Sequence, residues 1–281
     1  MREGRKIKNV EPMNAVSAYI MPDRVGASNQ FSATLEISET EEFIKRKRSE
    51  GLKGLGIMHV VLAAYVRAIA THPGANRFIR GQKMYARNSI DMCLTIKKKM
   101  QLDAPETCIK IPAYSDDTID DVYNNTVRLV EDNKDETGAN GMDFTAKFLK
   151  FIPGIFLKFI IWLLKLLDYF GLIPKGLVKV SPFHGSMFIT NMGSLGINPI
   201  YHHLYDFGNL PLFCAIGGKR TEYRLNADGS VKKVRLLDLT VVCDERICDG
   251  HYYASAFKTW KKYIENPDVL DNPPTRIVID Q

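Results

Sequence analysis

Apolar and polar residues alternate along Phe31-Ser32-Ala33-Thr34-Leu35-Glu36-Ile37, the period of a half-buried strand. Ser38-Glu39-Thr40-Glu41 follows with capping-box spacing, which predicts a charged helix to about Glu50. Gly51-Leu52-Lys53-Gly54-Leu55-Gly56 lacks the preceding strand of a dinucleotide-binding loop and reads as a connector. Residues 57–72 predict a buried helix stopped by Pro73-Gly74, with His59 as a core or surface residue on it. Residues 78–85 suggest a hairpin, and Ile90, Met92, Leu94 and Ile96 alternate along a further strand whose partner begins at Thr107. Asp116-Asp117-Thr118-Ile119-Asp120-Asp121 suits the start of a helix to about Asn133, because caps and acids favour the positive end of the helix dipole. Residues 212–216 read as a strand, and residues 221–225 and 231–242 as a long hairpin turning at Asp228-Gly229. Helical spacing returns from Tyr252 to Trp260.

Composition narrows the class of protein. With 281 residues, 45% hydrophobic and 25% charged, the chain can bury the core of one large domain or two small ones. The net charge of +6 is spread out, with short basic runs at residues 45–48 and 97–99. No coherent basic stripe is present, so nucleic acid is not an expected partner. A basic face for an anionic cofactor or a membrane surface stays open. Five cysteines without CxxC or zinc-like spacing, and no apolar signal region after Met1, point to free thiols in a reducing cytoplasm. Ile200-Tyr201-His202-His203-Leu204-Tyr205-Asp206 places two histidines in one loop, but no third ligand at suitable spacing is visible, so no metal is expected.

Chemistry concentrates in Cys243-Asp244-Glu245-Arg246-Ile247-Cys248-Asp249-Gly250-His251, between the last strand and the last helix. Rigidly held loops of this kind usually carry function, although a polar turn with a helix cap has the same composition. Asp-Glu-Arg-Ile-Cys-Asp-Gly resembles the Asp-His-Arg-x-x-Asp-Gly signature of the acyltransferase catalytic domains of 2-oxo acid dehydrogenase complexes, whose fold is shared by chloramphenicol acetyltransferase. Gly185-Ser186-Met187-Phe188-Ile189-Thr190-Asn191-Met192-Gly193 resembles that family's Gly-Thr-Phe-x-Ile-Ser-Asn-Leu-Gly, and Asp23-Arg24-Val25-Gly26-Ala27-Ser28 its Lys-Arg-Met-x-x-Ser. The three blocks stand in family order. The resemblance implies one domain over residues 1–281, a two-layer α/β sandwich with a mixed sheet flanked by helices, assembled as a trimer. It also implies coenzyme A as acyl carrier and an active site in a tunnel at a subunit boundary.

The same resemblance implies roles for individual residues. Thr190 would hydrogen-bond the tetrahedral oxyanion, Asp249 would pair with Arg24 to orient the loop, and Gly250 would be structural. Asn191 and Gly193 would contact substrate. Glu245 stands where the family has its catalytic histidine. An ordinary Glu near pKa 4.3 accepts a proton from a thiol near 8.5 only uphill, by about 6 kcal/mol. Burial could raise Glu245 toward neutrality, or His202, His203 or His251 could supply the base.

Residues 144–174 depart from the family pattern. If one helix ran through Pro153-Gly154, Lys147, Lys150, Lys158, Lys165 and Asp168 would share a narrow polar stripe beside a wide apolar face. The longest unbroken apolar run there, Phe159 to Leu164, is six residues, far short of a membrane span. A helix pair packed on the body, a lid over an acyl-binding tunnel, and a peripheral membrane contact through residues 148–173 compete as readings. For the whole chain the expected function is acyl transfer from a coenzyme A thioester. An inactive acyl-coenzyme A-binding homologue and a structural or membrane-surface oligomer are the alternatives.

Overall fold

The computed structural model describes residues 3–97, 106–133 and 149–280. Six strands form the main sheet in the order β2 (Ser28–Glu36), β9 (Val231–Asp244), β8 (Leu212–Leu225), β7 (Met187–Asn191), β5 (Ile90–Lys97), β6 (Glu106–Ala113). The sheet is mixed: β7 runs parallel to both β5 and β8, and the other pairs are antiparallel. A small antiparallel sheet joins β1 (Gly4–Lys6), β4 (Lys83–Arg87) and β3 (Phe78–Arg80). The α/β class and the two-layer arrangement expected from the sequence are both present.

One face of the main sheet is covered by α2 (Ser38–Ser49), α3 (Ile57–Thr71), α4 (Ile119–Asp132) and α7 (Gly250–Glu265). The helix α7 buries Tyr253, Ala256, Trp260 and Ile264, one residue per turn, against α3. Trp260 Nε1 donates to the Val61 carbonyl at 3.1 Å, so the indole is both packed and satisfied. His59 accepts the Gly56 amide at the start of α3, and burial pushes its imidazole down to about 4, which fits a neutral capping group. On the other face of the sheet, Cys93, Phe188, Leu204, Leu210, Phe213 and Val242 form a smaller cluster beneath the loop of residues 197–211.

Several expectations need correction. Ser38 does not cap α2. Its hydroxyl accepts the Arg235 amide and Glu41 pairs with Arg235, because the neighbouring strand competes for both side chains. Residues 212–216 and 221–225 belong to one strand, β8, which continues through an irregularity between Ile216 and Lys219. No helix runs through Pro153-Gly154. Pro153 is extended at ψ 137 and acts as N-cap of α5 (Gly154–Tyr169), so Lys150 is not on the stripe of Lys158 and Lys165. Lys147 and the start of the 144–174 segment lie outside the described residues.

The helix α5 is followed by the short α6 (Lys175–Val180). Within α5 only Asp168 is fully buried, while Phe156, Phe159 and Trp162 keep 62%, 57% and 56% of their surface. Its C-terminal end is tied down instead. Asp168 accepts from His184 Nε2 at 3.2 Å and from the Gly208 amide at 3.0 Å, with Arg80 at 3.9 Å, and the Tyr169 hydroxyl donates to Gln82. The other nitrogen of His184 lies 2.8 Å from the Ser181 hydroxyl. Burial keeps His184 below its ordinary range, so Nε2 carries the proton toward Asp168 and Nδ1 accepts from Ser181.

Candidate functional site

Parallel pairing of β7 with β8 puts Thr190 opposite Ala215, and antiparallel pairing of β8 with β9 puts Ala215 opposite Thr240. Strand alternation turns Thr190 to the face that carries Phe188, two residues before it. That is the face covered by the histidine loop, whose Ile200 carbonyl accepts the Thr240 hydroxyl at 2.6 Å. His202 stacks on Phe213 with ring centroids 4.0 Å apart. Since Phe213 pairs with Phe188, the register places its Cα about 8 Å from that of Thr190, one strand across and two residues along. The Thr190 hydroxyl is half-buried and makes only a weak 3.5 Å contact to Met192 Sδ, which leaves it able to donate to an incoming oxygen. His202 is half-buried too. Burial, and secondly the charge of His203, lower its pKa, so the ring is neutral and able to accept a proton near pH 7.

Glu245 sits elsewhere. The register puts the Asp244 Cα about 16 Å from the Thr190 Cα, and Glu245 one residue further away. Within one chain these two residues are not brought together. The Glu245 side chain is half-buried, and its amide donates to the Ala27 carbonyl at 3.0 Å. The loop that carries it is fixed by a buried ion pair. Arg246 Nε and Nη2 each donate to Asp244 at 2.7 Å, while Arg246 Nη1 donates to the Met21 carbonyl. Arg24 Nε lies 3.9 Å from the same carboxylate, and the rest of its guanidinium donates to the carbonyls of Tyr205, Asp206 and Ile79.

Other expected roles change in the folded chain. Arg24 faces Asp244, not Asp249. Asp249 is exposed and caps α7 through its acceptor bond from the Tyr252 amide at 2.8 Å, because a free helix N-terminus competes for the nearest carboxylate. Asn191 accepts from the Ser194 amide and shapes the turn after β7. A Cβ on Gly193 would come within 2.3 Å of the Gly217 carbonyl, so this glycine is required by packing. A Cβ on Gly250 would meet open space, and packing does not require that glycine. His203 is exposed with its ring edge against Tyr205, and His251 is exposed on the first turn of α7. Among the described residues, no group of three or more His, Cys, Asp or Glu could hold a metal ion. The pairing of Asp244 with Arg246 and the Asp168–His184–Ser181 chain were not foreseen. Their only traces in the sequence are an acid two residues before an arginine and a lone acid in a lysine-bearing apolar helix.

The architecture is that of the dihydrolipoamide acetyltransferases and chloramphenicol acetyltransferase. A probable dihydrolipoamide acetyltransferase from Listeria monocytogenes aligns over 94% of this chain and 95% of its own, at 12% identity and a TM-score of 0.58. The cubic core of the pyruvate dehydrogenase multienzyme complex aligns over 94% of each chain, at 11% identity and 0.57. A chloramphenicol acetyltransferase aligns over 93% of this chain and 99% of its own, at 14% identity and 0.55. Residues 173–271 match the catalytic-domain model of the 2-oxoacid dehydrogenases acyltransferase family. That stretch contains Thr190, the histidine loop and the Glu245 loop, so the family resemblance read from the sequence holds where the candidate chemistry lies. No curated protein sequence matches the chain.

Proposed function

We propose that the protein transfers an acyl group from a coenzyme A thioester, with the Thr190 hydroxyl as oxyanion donor and His202 as base. The observation that carries this reading is the shared sheet face of Thr190 and His202, one strand apart, inside the stretch that matches the acyltransferase family. His202 takes the proton of an acceptor thiol, whose thiolate then attacks the thioester carbonyl. The carbonyl oxygen gathers negative charge and receives the Thr190 hydrogen bond. Collapse of the tetrahedral species breaks the bond to the coenzyme A sulfur, and the imidazolium returns the proton to that leaving thiolate.

Glu245 enters this scheme from a second copy of the chain. Its separation from Thr190 within one protomer supports an active homo-oligomer, a trimer by the family resemblance, with the acyl channel at the boundary. The exposed apolar side chains of Met13, Val16, Tyr19 and Ile20 on α1 (Pro12–Ile20) supply surface for such contacts. The test is acyl transfer from acetyl-coenzyme A to thiol, amine and alcohol acceptors by wild type, His202→Ala, Glu245→Gln and the pair. Loss of turnover in His202→Ala supports the assignment, and undiminished turnover in both single variants and the pair sinks it. The carboxylate in the family's histidine position favours a second reading, a homologue that binds acyl-coenzyme A without turnover. Calorimetric binding with no product from any acceptor would identify that case.

A further inference from the structure

Leu157, Ile160, Leu164 and Leu167 of α5 are half-buried and Asp168 is buried, a seam repeating every three or four residues. The opposite face presents Ile155, Phe156, Phe159, Trp162, Leu163 and Leu166 to solvent, about a third of the helix circumference. Lys158 and Lys165 stand along one border of that face, two turns apart. Single exposed apolar residues are ordinary, but a contiguous aromatic and aliphatic face marks an interaction surface.

The charges around it identify the partner. Across residues 149–180, Lys150, Lys158, Lys165, Lys175 and Lys179 are all exposed, and the only acid, Asp168, is buried. A second copy of a chain with net charge +6 is a poor match for such a rim, whereas an anionic surface complements it. The 16-residue helix is about 24 Å long, and no helix among the described residues is long and apolar enough to cross a membrane. A helix with an apolar outer face and a lysine border fits flat in the headgroup layer of a bilayer. The bonds of Asp168 to His184 and Gly208 fix its rotation, so that this face points outward before any lipid is met.

We infer that α5 docks the protein on an anionic phospholipid surface, independently of whether acyl transfer occurs. The chain has two tryptophans, Trp260 in the core and Trp162 exposed on the outer face, so a change in emission on adding lipid reports Trp162. The full chain is titrated with vesicles of phosphatidylcholine mixed with phosphatidylserine, and with vesicles of phosphatidylcholine alone, followed by flotation. A blue shift and flotation with the anionic vesicles are expected. Phe159→Glu and Trp162→Glu, both at exposed positions, should each weaken binding at least about tenfold, with flotation as the readout for the variant without Trp162. Lys158→Glu with Lys165→Glu should weaken binding to the anionic vesicles by about tenfold or more. Absence of binding to either vesicle overturns the inference, as does equal binding to both with no effect of lysine reversal. Sedimentation without lipid provides a further check: if Trp162→Glu dissociates an oligomer, the face joins copies of the chain and the lipid assignment falls.

Discussion

Asp244→Asn tests what holds the Glu245 loop in place. Asp244 and Arg246 side chains are 1% and 3% exposed, and the carboxylate accepts two short guanidinium bonds as well as the Arg246 amide at 3.2 Å. Arg24 adds a second buried cation within 3.9 Å. The substitution is nearly isosteric, so it leaves no cavity. It removes one negative charge from between two guanidinium groups and turns an amide N–H toward an arginine donor. Breaking a buried pair from one side costs about 3–5 kcal/mol, because the remaining charge stays desolvated. Against a total stability of about 5–15 kcal/mol for a typical domain, that is a large fraction. Urea denaturation should show a lowered midpoint with an unchanged slope, the signature of a stability loss in a two-state transition. The loss should change little with added salt, since screening hardly reaches a buried pair. Asp244→Leu combined with Arg246→Met should recover part of it by removing both charges. A loss below about 1 kcal/mol, or one that disappears in salt, would show that water screens the pair and would refute its role as the clamp of the loop.

Three further outcomes follow from named contacts. Burial pushes the Asp168 carboxyl up, but the His184 bond and the charges of Arg80 and Arg24 outweigh it and hold it below the ordinary range, while burial also holds His184 down. Both depressed values mean that the unfolded chain binds more protons in acid, so stability should be full above about pH 6.5 and fall as pH drops through the folded value of His184, then again below about pH 3.9. His184→Gln should flatten the upper part of that profile in urea midpoints, and an unchanged slope would remove His184 from the account. Gly193→Ala should cost about 1–3 kcal/mol, read the same way, because its methyl group meets the Gly217 backbone carbonyl at 2.3 Å. Thr190→Val keeps the shape and removes the hydroxyl. It should lower kcat by about 100- to 1000-fold with the urea midpoint nearly unchanged, and full activity would exclude the oxyanion role.

Local pattern was enough to place most elements. The alternation through residues 31–37, the buried run from residue 57 and the Asp228-Gly229 turn each lie within one element or one turn, and all three formed. The motif blocks were legible for the same reason, as contiguous residues, and they led to the right fold. Partner choice was not legible. Asp249 could be matched to Arg24 by analogy, but in the folded chain α7 takes Asp249 as its cap and Arg24 turns to Asp244. Ser38 and Glu41 fit a capping box by spacing, yet β9 claims both through Arg235. Asp168 reads as one more polar residue on a stripe until His184 and Gly208, distant in sequence, close on it. The amino-acid sequence by itself determined the strands, helices and family architecture, because hydrophobic period and turn chemistry act over a few residues. Only the tertiary structure decided which charges pair, which histidine shares a face with Thr190 and which side of α5 is left bare, because those outcomes depend on groups that compete across the fold.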